Sequence, residues 1–238
     1  MTARSISPAF RLFRSRALTS SRDHLRPTAA TGTSSTAPAR VVVLASGAGT
    51  LLRSLIDSSR TGGYPADVVA VGVDRNCDAI RHAEAAGIPH FRVSLRDHPD
   101  RASWDKALTE AVAAHEPSLV VSAGFMKILG PAFLDRFGGR IINTHPALLP
   151  AFPGAHAVPD ALAYGVKVSG STVHLVDAGV DTGPILAQEP VPVLDGDDES
   201  TLHERIKTVE RRLLADVIAA VATRGVVSDG RKAVIPSE

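Results

Sequence analysis

The chain has 238 residues, 44% of them hydrophobic, and a formal net charge of +1. That size suits one α/β domain, and so small a net charge excludes a whole-protein field able to gather nucleic acid or an anionic membrane. No apolar run approaches the ~20 residues of a membrane-spanning helix, and the single cysteine, Cys77, excludes an intrachain disulfide and a cysteine-cluster metal site.

The first forty residues carry seven Arg and one acid, Asp23, among many Ser, Thr and Ala. They read as a disordered extension, 1–39, ahead of one domain at 40–228 and a short tail at 229–238. An Arg-rich, acid-poor start is also the composition of an organellar transit peptide. Because 21 Arg stand against five Lys along the whole chain, the Arg preference does not single out the N-terminus, and the expected location is cytoplasmic, with an organelle as the alternative.

From Arg40, apolar runs alternate with longer amphipathic stretches, the signature of βα units and a mostly parallel sheet flanked by helices. Val41–Ala45 reads as a buried strand, and Thr50–Arg60 as a helix with Leu51, Leu52, Leu55 and Ile56 inward. Val68–Val73 is a second strand, followed by a helix near Asp78–Ala86 that stops at Gly87. Ile88–Val93 gives a short third strand, and Ala102–Ala114 a helix with Trp104, Leu108 and Val112 four apart. Leu119–Ala123 and Arg140–His145 are further strands, with a short helix at Pro131–Phe137 between them. Val168–Val176 alternates at period two, which predicts an edge or antiparallel strand. The last helix is predicted to begin near Ser200 as N-cap and to bury Leu202, Ile206, Val209, Leu213 and Val217 before Gly225.

Three constellations carry chemistry. Ser46-Gly47-Ala48-Gly49-Thr50 lies between a strand and a helix, where free backbone N–H groups favour an anion such as phosphate. Leu52 stands where a dinucleotide fingerprint wants a third small residue, so the pattern is incomplete, although Asp74 at the end of the second strand leaves a ribose site open. Asn143-Thr144-His145-Pro146 places Asn143 and His145 two apart on a strand, so both project to one side and suit a carbonyl that becomes an oxyanion. Asp177-Ala178-Gly179-Val180-Asp181 is an acidic turn; if Asp181 reaches His145, its charge holds a proton there and opens a route for proton movement. A metal on His145, His174 and Asp181 lacks any ligand-spacing motif, and none is expected.

Taken together with A-G-F-M-K-I-L (residues 123–129), S-T-V-H-L-V-D (171–177) and D-T-G-P-I-L (181–186), these motifs make the stretch from Arg40 to about Gly225 resemble the folate-dependent glycinamide ribonucleotide formyltransferases of purine synthesis. The resemblance implies a single Rossmann-like formyltransferase domain. Its co-substrate would be 10-formyltetrahydrofolate, its acceptor glycinamide ribonucleotide, and its form a monomer or homodimer. Asn143, His145 and Asp181 would be the catalytic set. The ribonucleotide would lie on Gly49, Thr50 and Leu51 and along Lys207, Thr208, Val209 and Glu210. The folate would meet Arg101, Met126, Lys127, Ile128 and Leu129, Asn143, and the turn Asp177, Ala178, Gly179, Val180 and Asp181. Backbone groups at Met126 and Leu129 would bond a flat heterocycle, with Ile128 as an apolar wall. Leu51 stands where many relatives carry Asn, Ala147 replaces a common Ser, and Ala157-Val158 replace polar residues near His156, whose role is left open.

Rival members differ in acceptor. A tRNA formyltransferase should add an RNA-binding domain of ~100 residues, and a formyltetrahydrofolate hydrolase a folded regulatory domain before the catalytic one; neither is expected here. A non-catalytic folate- or nucleotide-binding module is the alternative from another class.

Overall fold

A computed structural model describes residues 37–237; the reading of residues 1–36 as an extension or targeting segment lies outside them. The strands are β1 (Ala39–Ala45), β2 (Ala66–Val73), β3 (His90–Arg92), β4 (Leu119–Ser122), β5 (Ile141–His145), β6 (Val168–Leu175), β7 (Ile185–Pro192), β8 (Val227–Ser228) and β9 (Ala233–Val234). The helices are α1 (Thr50–Ser59), α2 (Ala79–Ala86), α3 (Arg101–Ala113), α4 (Pro131–Phe137), α5 (Ala157–Tyr164) and α6 (Glu199–Arg224). Seven strands form one sheet in the order β3-β2-β1-β4-β5-β6-β7. β1 to β5 are parallel, and β6 and β7 are antiparallel to their neighbours.

The α/β class is therefore as the sequence reads. Both faces of the sheet are covered, which explains the run of Val and Leu in β1: Val41, Val43 and Ala45 pack toward α1, α2 and α6, while Val42 and Leu44 pack toward α3 and α4. Trp104, Leu108 and Val112 are all buried in the second layer. β6 is antiparallel but is not an edge, because β7 lies outside it, and both its faces are buried. α6 starts two residues earlier than predicted. Asp198 is its N-cap, and with Thr201 it closes a capping box, while the Ser200 hydroxyl only donates to the Asp198 carboxylate. The small hairpin β8–β9 joins residues on both sides of position 228.

Strand order reverses between β1 and β4. In open parallel sheets the crevice beyond the carboxyl ends of such a pair is where ligands bind. The turn at 46–50 leaves β1 and the loop at 123–130 leaves β4, so the topology brings these two sequence motifs to one crevice.

Candidate active site

Alternation along β5 divides its residues between the two faces. Ile141 packs in the α3–α4 layer, so Asn143 and His145 share that side, and Thr144 points to α6, where its hydroxyl donates to Glu210 Oε1 at 3.1 Å. His145 Nδ1 lies 3.3 Å from Asp181 Oδ2. The structure thus joins the three residues expected to act together, although Asp181 lies far along the chain.

A fourth residue stands among them. His174, on β6 directly opposite Asn143, has its Nε2 3.1 Å from Asn143 Nδ2 and 3.6 Å from Asp181 Oδ1. Its Nδ1 meets the Leu175 carbonyl at 2.8 Å, and a carbonyl only accepts, so Nδ1 carries hydrogen. When neutral, His174 therefore accepts from the Asn143 amide through Nε2, which fixes that amide's direction. His145 is held likewise: Nε2 faces the Phe152 carbonyl at 2.8 Å and carries hydrogen, while Nδ1 lies beside Asp181. His174 was not among the predicted site residues. The only signal for it is its place on the same strand face as Thr172, and sequence does not reveal that β6 pairs with β5.

Asp181 is half-buried, and its acidity is increased first by the neighbouring His174 ring, against the opposing effect of burial, with further help from the Gly154 N–H and the charge of His145. Gly154 N donates to Asp181 Oδ2 at 2.8 Å, tying the loop after β5 to the turn after β6. Asp181 and Phe152 both adopt positive φ, 53° and 52°. Asp tolerates that conformation and Phe does not, so the backbone carbonyl facing His145 sits on a strained residue.

At the other end of the crevice, Gly49 caps α1 with φ 69°, and a Cβ there would lie 2.8 Å from Ala79 Cα, so only glycine fits. No side chain caps α1. The N–H groups at Thr50 and Leu51 belong to the first turn, which has no partners within the helix. A Cβ on Gly47 would meet nothing within 4 Å, so that side of the turn is open. On α6, Glu210 is buried under Thr144, and burial raises its pKa against the Thr144 hydroxyl, Lys207 and Arg211. Lys207 instead pairs with Glu204 at 2.8 Å, the Thr208 hydroxyl donates to the Glu204 carbonyl, and Val209 packs against the Val158–Leu202–Ile206 cluster. Of these four residues, Glu210 is the one whose side chain touches β5.

In the 126–129 loop one of the backbone donors expected to face the heterocycle, the Met126 N–H, has a partner within the protein. Met126 N–H already donates to Ser46 Oγ at 2.8 Å, and the Ile128 carbonyl accepts from Arg101. Leu129 is buried in the α3–α4 layer, while the Met126 and Ile128 side chains are exposed. Arg101 also lies 5.5 Å above the Trp104 ring. Lys127 Nζ sits 3.1 Å from Asp74 Oδ2, and Arg75 2.8 Å from the same oxygen. Asp74 is thereby engaged, which corrects the option of a ribose site on its carboxylate. Asp177 Oδ1 accepts from Gly179 N and the Thr182 hydroxyl and shapes the acidic turn, in which Ala178 and Val180 are exposed. Among the described residues, no group of three or more His, Cys, Asp or Glu is arranged to hold a metal ion, and no helix is long and apolar enough to cross a membrane.

The profile of the formyl transferase family matches residues 39–218. The chain belongs to the formyl transferase family. It is 71% identical over 197 residues to the phosphoribosylglycinamide formyltransferase of Mycobacterium tuberculosis, covering 83% of this chain and 91% of that one. To the Bacillus subtilis enzyme of the same name it is 36% identical, covering 82% of this chain and 99% of the other. The crystal structure of glycinamide ribonucleotide transformylase 1 from Symbiobacterium toebii superposes with a TM-score of 0.82 at 41% identity, covering 84% of this chain and 95% of that one.

Proposed function

We propose that this formyltransferase moves the formyl group of 10-formyltetrahydrofolate to the amine of glycinamide ribonucleotide, giving formylglycinamide ribonucleotide and tetrahydrofolate in de novo purine synthesis. The observation that carries the reading is the contact of His145 Nδ1 with Asp181 Oδ2 at 3.3 Å, with the Asn143 amide on the same strand face.

In this reading the ribonucleotide phosphate takes the N–H groups of Gly49, Thr50 and Leu51, where the helix end favours an anion. The folate lies against the exposed Met126 and Ile128 side chains and the 177–181 turn. The neutral amine attacks the formyl carbon, and the carbonyl oxygen takes up negative charge. One N–H of the Asn143 amide points at His174; the other is the first donor to that oxygen. Both nitrogens of His145 are engaged as the site stands, Nε2 by a neutral carbonyl and Nδ1 by a carboxylate. The neutral contact is the weaker, so Nε2–H is the group that exchanges Phe152 for the oxyanion. Asp181, held acidic, stays ionised and orients His145; a water held by its carboxylate takes the proton that the amine loses and delivers it to the folate nitrogen as the carbon–nitrogen bond to the folate breaks.

Holding both reactants in contact lowers such a barrier by ~7–11 kcal/mol. Losing one oxyanion donor costs ~10²–10³ in turnover, so Asn143→Ala should slow kcat by that factor with little change in either KM. Unchanged kcat would remove Asn143 from the reaction. The activity itself is tested by following loss of the formyl group from 10-formyltetrahydrofolate with and without glycinamide ribonucleotide. Loss only with the amine supports transfer, loss without it marks a hydrolase, and no loss marks a binding module.

A further inference from the structure

Asp74 directly follows Val73, the last residue of β2, and its side chain is only 1% exposed. It gathers groups from both halves of the switch point. Arg75, its neighbour in sequence, meets it through Nε and Nη2, and Lys127 from the loop after β4 reaches Oδ2 at 3.1 Å. The Ser46 hydroxyl, from the turn after β1, accepts the Met126 N–H at 2.8 Å, which leaves its own hydrogen to donate, and it helps to stabilise the ionised form of Asp74. Ser46 N–H in turn donates to the Gly124 carbonyl at 3.2 Å. Burial works against the charge on Asp74, but Arg75, Ser46 and Lys127 outweigh it and bring the carboxyl down to about 2, so the link is ionised throughout the neutral range.

We propose that Asp74 is a positioning residue that locks the turn at 46–50 to the loop at 124–129, so that occupation of either half of the crevice orders the other. This rests on reading the crevice as the meeting place of the phosphorylated amine and the folate. Ser46 lies one residue before Gly47 of the turn, and its hydroxyl fixes the main chain of Met126; an anion that orders the turn therefore orders the folate wall through two hydrogen bonds and an ion pair. The Lys127 ammonium acts here through Asp74. Coupling between sites is reciprocal, so each substrate tightens the other by the same factor.

The test is calorimetric titration of the full chain with tetrahydrofolate, with and without saturating glycinamide ribonucleotide, a pair that does not react. The wild type should bind tetrahydrofolate at least about fivefold more tightly with the ribonucleotide present. Asp74→Asn keeps the size of the side chain and removes its charge. It should abolish that enhancement and raise both KM values about tenfold, the loss of one charged hydrogen bond, while kcat changes by less than about threefold. A general loss of packing would lower stability and active fraction without erasing the dependence of one ligand on the other. If Asp74→Asn does not fold, Ser46→Ala decides, since it leaves the ion pairs and deletes only the hydroxyl; the same loss of enhancement is expected. Independent binding in the wild type, or undiminished enhancement in the variants, overturns the proposal while leaving the transfer reaction standing. A wild type without turnover overturns the reading of the activity and this inference with it.

Discussion

Glu210 is a carboxyl group placed on the inner stripe of a helix, four residues after Ile206, and covered by β5. Burial raises its pKa more than Thr144, Lys207 and Arg211 lower it. The sign follows from linkage: a folded-state value above the unfolded one, near ~4.3, contributes stability that is complete below the unfolded value and is lost as pH rises through the folded value. Glu210→Gln keeps a partner for Thr144 and removes the group that must ionise. The melting temperature of the variant relative to the wild type should therefore climb as pH is raised from about 4 to 8. A difference that stays constant across that range would place the proton elsewhere. The sequence pattern puts Val209 in the buried stripe of α6, whereas the buried residue is Glu210, and nothing in the written order shows that Thr144 would meet it. His174 teaches the same lesson. An isolated histidine on an apolar strand reads as core, and only the pairing of β6 with β5 sets it against Asn143.

Short elements depend on caps supplied from elsewhere. α4 begins at Pro131 after Gly130 and has no side-chain cap of its own. Asp105, buried on α3, provides one: its carboxylate accepts from Gly130 N and Ala132 N, both at 2.8 Å. A Cβ at position 130 would stand 2.4 Å from Asp105 Cγ, so Gly130 is the residue that lets this carboxylate approach. Asp105→Ala leaves buried N–H groups unpaired and should cost about 3 kcal/mol in urea unfolding, with Asp105→Asn less severe. Equal stability of the alanine variant would mean that water replaces the carboxylate. At this scale the sequence was informative where one period ran uninterrupted: α4 was read to the residue, and β1, β2, α1 and α3 to within a residue or two. It was silent where proline broke the pattern. β7 contains Pro190 and Pro192, tolerable because the strand is at the edge of the sheet. α5 carries Pro159 in its first turn, where no intrahelical N–H is needed. The N-cap of α6 was misplaced because Asp198 and Ser200 are both good caps, and only the Asp198–Thr201 box distinguishes them.

At the scale of the whole molecule, the two hydrophobic layers have no strands of their own. Val41 and Val42 are adjacent in β1 yet belong to opposite layers, and Val120 and Val121 in β4 do the same. Neither layer can come apart without stripping the strands that wall the other. The single tryptophan, Trp104, is fully buried on the α3–α4 side, whereas Leu214 of α6 is buried on the opposite side. Leu214→Ala removes atoms from one layer only and should cost about 2–5 kcal/mol. If the sheet binds the layers into one cooperative unit, Trp104 fluorescence, far across the sheet, will report the whole of that loss as a lower urea midpoint, coincident with the midpoint from far-ultraviolet circular dichroism. Two separated transitions, with Trp104 unfolding at its wild-type midpoint, would show that the α1–α2–α6 layer melts by itself. In that case the turn at 46–50 and Glu210 would be lost while the face carrying His145 and Asn143 stayed folded.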